Sequence, residues 1–133
     1  MVLYSDRLRA FAAEAGLDWV GVAPAGPTPT WEAYRDWVER GYAAEMAYLV
    51  RPDAVARRAD PRRILPEAQS VVVVVACYGK GKLPELAPLH GRISRYAWGR
   101  EDYHRWLMRR LEALVGRIVE EVGPFPYRCY VDT

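Results

Sequence analysis

The sequence predicts an α/β fold in which helices pack on both faces of a sheet. Five consecutive valines at residues 71–75 favour a strand over a helix, because β-branched side chains lose χ1 freedom in a helix. This run has no polar side, which predicts an interior strand covered on both faces. Segments with helical spacing of apolar residues precede and follow the run, and they would provide that cover.

The chain before the valine run predicts two amphipathic helices and a short strand. Ser5 begins the first helix and Gly16 ends it, since glycine readily adopts the left-handed conformation that follows a helix. The strand occupies residues 18–23, and Thr30 caps a second helix that ends at Gly41. Two less regular segments come next: a short helical segment at 45–49 and a proline-interrupted loop with one or two helical turns at 51–66.

The chain after the valine run predicts a loop, a long helix and a final strand. Prolines and glycines keep residues 79–91 irregular. Apolar side chains at helical spacing then predict a helix from about residue 102 to residue 122. Alternation over residues 127–133 predicts a last strand, with Asp132 near its end.

The composition limits the classes of protein to which the chain can belong. Its 133 residues predict one domain with a hydrophobic core, and a net charge of +2 does not by itself indicate nucleic-acid binding. Every basic residue except Lys80 and Lys82 is an arginine, which fits phosphate recognition, a thermophile or a GC-rich genome equally well.

Cysteine spacing and hydropathy point to a cytoplasmic protein with reduced thiols. Cys77 and Cys129 are the two cysteines, and neither lies in the Cys-x-x-Cys spacing of iron–sulfur or zinc-finger sites. We identify no secretory signal, and no apolar run approaches the ~20 residues that span a bilayer. No membrane partner is therefore expected.

The densest group of polar and aromatic side chains lies at residues 93–104, just before and at the start of the long helix. Arginines and a helix N-terminus favour an anionic or amide-rich ligand, and aromatic rings offer flat contact area. The alternative is that Tyr96 and Trp98 pack on the core while the arginines are solvated. No metal-ligand or triad spacing involves His90 or His104, so a metal site is not expected.

Asp132 is a candidate general acid only if it is buried among apolar and aromatic groups. Burial would raise its pKa and keep it protonated near neutral pH. The alternative from the residues alone is an exposed carboxylate without a role.

Several segments resemble the epoxyqueuosine reductases, in the same order and with similar spacing. The strongest match combines residues 94–100 (SRYAWGR) and 102–104 (DYH) with residues 130–133 (YVDT). The other matching segments are residues 19–23 (WVGVA), 40–49 (RGYAAEMAYL), Arg51 and residues 60–66 (DPRRILP). The chain departs from the family at Ala43 and Ala44, where relatives carry His-Gly.

This resemblance implies a nitroreductase-like mixed sheet in a core that holds cobalamin. Residues 1–133 would be the N-terminal segment of that cobalamin-binding catalytic domain, without the ferredoxin-like domain that carries two 4Fe–4S clusters or the helical-repeat domain. The implied reaction reduces epoxyqueuosine in tRNA to queuosine. Asp132 would protonate the epoxide oxygen, and a further group would lie near the corrinoid or substrate: Arg51, Tyr96, Tyr103 and His104.

The residues leave two alternatives open. The segment is expected to be inactive alone, so it could instead be a module that binds RNA or a corrinoid without redox chemistry. It could also associate with a second copy of itself through an exposed strand edge.

Overall fold

The computed structural model describes residues 5–79, 81–83 and 85–132, and it has the mixed α/β character that the sequence predicts. The helices are α1 (Ser5–Glu14), α2 (Trp31–Glu39), α3 (Ala47–Val50), α4 (Pro52–Ala59) and α5 (Tyr103–Val122). The strands are β1 (Trp19–Pro24) and β2 (Ser70–Val75). Short 3₁₀ helices occupy Pro61–Arg63 and Arg95–Trp98.

The described residues fall into two compact units. The first unit comprises those within Met1–Gly21, Val73–Phe125 and Cys129–Thr133, and the second comprises those within Val22–Val72 and Pro126–Arg128. The prediction that residues 1–133 form one domain stays a prediction. The first unit contains α1 and α5, whereas α2, α3 and α4 belong to the second.

β1 and β2 form a two-stranded antiparallel sheet. In the first unit the Asp18 backbone N–H donates to the Val75 carbonyl at 2.9 Å, and in the second the Ala25 N–H donates to the Gln69 carbonyl at 2.9 Å. The start of β1 therefore pairs with the end of β2, and the end of β1 pairs with the start of β2, which defines an antiparallel ladder.

The valine run forms the predicted strand but is not covered on both faces. Val73 is 50% exposed and Val75 is 45% exposed, whereas Val74 packs against the apolar core. The prediction of an interior strand is therefore wrong for the described residues. The physical reason is that β-branching determines the preference for a strand, while coverage depends on neighbouring elements, and this sheet has two strands in the described part of the chain.

The core of the first unit lies between α1 and α5. Phe11 is 1% exposed and Leu114 is 2% exposed, so each helix contributes a fully buried side chain. The remaining members of this core are also apolar: Leu8, Ala12, Leu17 and Val20. This apolar contact fixes the position of α5 within the unit, because packed interiors tolerate little displacement.

The C-terminus of α1 is held by a side chain of α5. The Arg110 guanidinium donates to the Gly16 carbonyl at 2.5 Å and lies 3.9 Å from the centroid of the Trp106 ring. Gly16 has a φ of +75°, the left-handed conformation that ends a helix as predicted. A Cβ at this position would lie 1.8 Å from Arg110 Nη1.

The second unit is organised by side chains that bond to distant backbone. Thr28 Oγ1 donates to the Arg58 carbonyl at 2.7 Å, and the Tyr34 hydroxyl donates to the Leu49 carbonyl at 2.7 Å. Residues 51–66, predicted as a loop with a helical turn or two, contain α4 and a 3₁₀ helix. Pro52 occupies the start of α4, where its missing N–H costs nothing.

The predicted last strand does not form. Residues 127–132 have no regular secondary structure, and Asp132 has a φ of +67°. Alternation of side chains indicates a strand only if another strand pairs with it, and none in the described part of the chain does so. No described helix is both long and apolar enough to cross a lipid bilayer.

Gly16→Ala is expected to lower the free energy of unfolding by at least about 1–2 kcal/mol, because alanine disfavours the left-handed conformation. The collision with Arg110 adds to this cost. Gly116→Ala is the matched control: Gly116 lies in an exposed helix interior with nothing near its added Cβ, so the change should stabilise by up to about 1 kcal/mol. Urea denaturation measures both, and equal effects would contradict this role of Gly16.

Candidate functional site

The N-terminus of α5 is capped by Asp102. Its Oδ1 accepts the backbone N–H of His104 at 3.0 Å and lies 2.7 Å from His104 Nδ1. The bond from the His104 side chain and then the bond from its backbone hold the pKa of Asp102 below its usual value. Aspartate is favoured at this position because it satisfies N–H groups that have no partner inside the helix.

Two residues of the first turn of α5 contact Asp132. The Tyr103 hydroxyl donates a short hydrogen bond to Asp132 Oδ2, and His104 Nε2 lies 3.3 Å from the same oxygen. Tyr103 and Asp132 are 29 residues apart in the sequence. The structure therefore brings together three residues that the sequence analysis predicts to share a site.

The Tyr103–Asp132 contact changes the acidity of the phenol. The hydrogen bond to the carboxylate raises the pKa of Tyr103 to about 12, since ionisation would place two negative charges side by side. Asp132 itself is 53% exposed at its side chain, so the burial that the sequence argument required for a general acid is not present. Any acid role of Asp132 must rest on its contacts or on a bound ligand that covers it.

A row of aromatic rings leads from the end of β2 to this site. The ring centroids are 6.3 Å apart for Tyr78 and Tyr96, 5.5 Å for Tyr96 and Tyr103, and 4.1 Å for Tyr103 and His104. Tyr78 was not predicted as a site residue, although its place after the carboxyl end of the valine strand was a usable signal.

The aromatic side chains of residues 95–98 are open to solvent. Tyr96 is 50% exposed and Trp98 is 52% exposed, so the alternative in which both pack on the core is wrong. The Trp98 indole donates to the Ile93 carbonyl at 2.9 Å, and the Arg95 guanidinium lies 5.7 Å from the Trp98 ring centroid. Tyr96 thus offers exposed ring surface beside Tyr103, which together with His104 and Asp132 forms the Asp132 cluster.

Arg51 belongs to the second unit, whereas the Asp132 cluster belongs to the first. Its guanidinium Nε lies 3.7 Å from Asp53 Oδ1, and its side chain is 60% exposed. Arg51 is thus an accessible cation in its own unit.

The exposed aromatic rings and the tyrosine–histidine–aspartate cluster offer flat apolar surface beside hydrogen-bonding groups, which is the chemistry that contacts a flat, amide-bearing ligand. They do not fit an iron–sulfur cluster. Within residues 5–79, 81–83 and 85–132, no three histidine, cysteine, aspartate or glutamate side chains are grouped as metal ligands. Cys77 and Cys129 are both free thiols, and a 4Fe–4S cluster takes four cysteines.

Comparison with known proteins gives consistent matches. Residues 58–133 match the family model described as "Epoxyqueuosine reductase QueG, DUF1730". The epoxyqueuosine reductase of Synechocystis sp. is 40% identical over 117 residues, which are 86% of this chain and 39% of that protein. That of Leadbetterella byssophila is 33% identical over 98% of this chain and 42% of its own length.

A third relative, the epoxyqueuosine reductase of Synechococcus sp., is 36% identical over 90% of this chain and 36% of its own length. The chain thus spans about two fifths of the length of the curated relatives that it matches. No solved structure gives a significant match. Because the family model covers more than half of the chain, including Tyr103, His104 and Asp132, this protein belongs to the epoxyqueuosine reductase family.

Proposed function

We propose that this chain forms part of the site at which an epoxyqueuosine reductase reduces epoxyqueuosine in tRNA to queuosine. The observation that carries the proposal is the convergence of Tyr103 and His104 on one carboxylate oxygen of Asp132. Cobalamin, when bound, would supply the electron pair that breaks the epoxide carbon–oxygen bonds. The net reaction consumes two electrons and two protons, and it releases the epoxide oxygen as water.

Asp132 would deliver a proton to the epoxide oxygen as its bond to carbon breaks. A leaving alkoxide is strongly basic, so a positioned acid lowers the barrier, typically by 10²–10⁴-fold in rate. The 53% exposure of the Asp132 side chain leaves room for a ligand to approach it. A bound ligand would also exclude water from this carboxyl.

Tyr103 would position the acid rather than remove a proton. With a pKa of about 12, its hydroxyl remains protonated at neutral pH and acts as a hydrogen-bond donor to Asp132. His104 Nε2 lies 3.3 Å from the same oxygen, where it could restore the proton that Asp132 gives up. Tyr96, in ring contact with Tyr103, would hold the flat face of the corrinoid.

The partners of the site would be tRNA and an electron donor. The tRNA would contact the protein partly through exposed arginines such as Arg51. The protein would act in the cytoplasm, where tRNA is modified. Electrons would come from two 4Fe–4S clusters, whose cysteine ligands this chain does not contain.

A second candidate is self-association through β2. Among the described residues β2 pairs with β1 on one edge, and an exposed strand edge is a template for pairing with another chain. The exposed side chains of Val73 and Val75 add apolar surface on one face of β2. A binding module for RNA or a corrinoid, without redox chemistry, is distinguished from the main proposal by the activity test below.

Asp132→Asn is expected to lower the pKa of Tyr103 from about 12 towards 10.0, because the charged acceptor is lost. The pKa is raised on folding, so the bond stabilises the fold below pH 10 and its contribution disappears between pH 10 and about 12. NMR titration of ring-labelled tyrosine measures the shift, with Tyr103→Phe assigning the resonance. An unchanged Tyr103 titration in Asp132→Asn would contradict the hydrogen bond.

Asp132→Asn is also expected to reduce the turnover of epoxyqueuosine-tRNA by about 10²–10⁴-fold, because the amide cannot donate the acid proton. Turnover is measured on the whole product of the gene that encodes this chain, with cobalamin and a chemical reductant. Asp6→Asn, an exposed aspartate of α1, is the control and should keep full turnover. Wild-type-like turnover in Asp132→Asn would refute the assigned role.

Tyr96→Ala is expected to weaken cobalamin binding by the chain, because the loss of one ring removes contact area and interrupts the aromatic row. The visible spectrum of cobalamin during titration reports the affinity. Tyr48→Ala is the matched control, since Tyr48 is 53% exposed and lies in α3 of the second unit. Equal affinities of the Tyr96 and Tyr48 variants would count against the aromatic row as the binding surface.

A further inference from the structure

The His104 imidazole lies between two carboxylates. Asp102 Oδ1 is 2.7 Å from its Nδ1, and Asp132 Oδ2 is 3.3 Å from its Nε2. We infer that Asp102 is a positioning residue: it keeps the Nδ1 of His104 protonated, so that the transferable proton of the imidazole is the one on Nε2, facing Asp132. The inference rests on the proposed function and adds a residue to it.

The contacts of Asp102 determine which imidazole nitrogen donates. An ionised carboxylate can only accept hydrogen bonds, so Nδ1 must carry a proton to bond with it. The same Oδ1 accepts the His104 backbone N–H at 3.0 Å, which fixes its position against the ring. The positive charge of Arg105, the residue after His104, also helps to keep Asp102 ionised.

With Nδ1 committed to Asp102, a protonated imidazole has its second proton on Nε2. Transfer of that proton to Asp132 Oδ2 breaks one N–H bond and forms one O–H bond, leaving neutral His104 and a protonated carboxyl. The proton count of the pair does not change. His104 is 50% exposed, so water can return the proton after each turnover.

The groups that face His104 all act on the proton transfer from its Nε2 to Asp132 Oδ2. Tyr103 stacks on the imidazole and donates to the oxygen that would receive the proton. Asp102 and Asp132 lie at the two ring nitrogens of the imidazole. The arrangement is a carboxylate–imidazole–carboxylate series that ends at the acid of the proposed reaction.

Asp102 also caps α5, so its structural role must be separated from its positioning role. Asp102→Ala removes both the cap and the acceptor, and loss of a cap destabilises the helix. Asp102→Asn retains a good capping residue but removes the negative charge, which makes it the decisive variant if Asp102→Ala does not fold.

The test is NMR of the chain labelled with ¹⁵N in histidine, recorded at a pH where each imidazole has lost one proton. Wild-type His104 is expected to show the Nδ1–H tautomer, since the partner of one ring nitrogen decides where the proton sits. Asp102→Ala should shift the population towards Nε2–H, with a smaller shift in Asp102→Asn. His90, whose Nδ1 lies 3.0 Å from the Pro88 carbonyl, is the internal control and should not change.

An Nε2–H tautomer in wild-type His104, or an unchanged tautomer in a folded Asp102 variant, would overturn the inference. In a buried triad, loss of the aspartate that sets a histidine tautomer lowers kcat by about 10⁴-fold. At this exposed site we expect Asp102→Asn to lower kcat by about 10-fold, with little change in KM. Failure of the proposed function is recognised separately, by full turnover in Asp132→Asn whatever the tautomer of His104.

Discussion

The packing of α1 against α5 is the interaction on which the rest of the first unit depends. Phe11 and Leu114 are almost completely buried in this contact, and Arg110 ties the end of α1 to the side of α5. The contact holds a helix of 20 residues at a defined position. The first turn of that helix carries every α5 residue of the candidate site, so the geometry of the site follows from apolar packing farther along the same helix.

The site itself is built from short polar contacts. Asp102 caps α5 and binds His104, while Tyr103 and His104 reach Asp132, which has a left-handed backbone conformation. Asparagine and aspartate tolerate this conformation better than most residues. One carboxylate oxygen thus receives two partners from adjacent residues. In the proposed function, such an arrangement would orient a proton donor without burying it, and a bound ligand would cover the exposed carboxyl.

The sequence predicts the secondary structure better than the packing. Helical spacing and glycine positions locate α1 and α5, and the valine run locates β2, because these signals are local. The exposure of Val73 and the irregular backbone around Asp132 were not predictable, since both depend on which elements are neighbours in space. The pairing of Tyr103 with Asp132 followed from a family resemblance. Asp102 carried its own signal, an aspartate just before a helix, but its bond to His104 depends on a rotamer.

The central claim is that Tyr103 and Asp132 interact directly in the folded chain. A double-mutant cycle tests it most directly, by comparing the unfolding free energies of the wild type, Tyr103→Phe, Asp132→Asn and the double variant. The effects of the two substitutions should not be additive, because Tyr103→Phe removes the donor of the hydrogen bond and Asp132→Asn removes the charge of its acceptor. Additive effects within experimental error, with all four proteins folded, would contradict it.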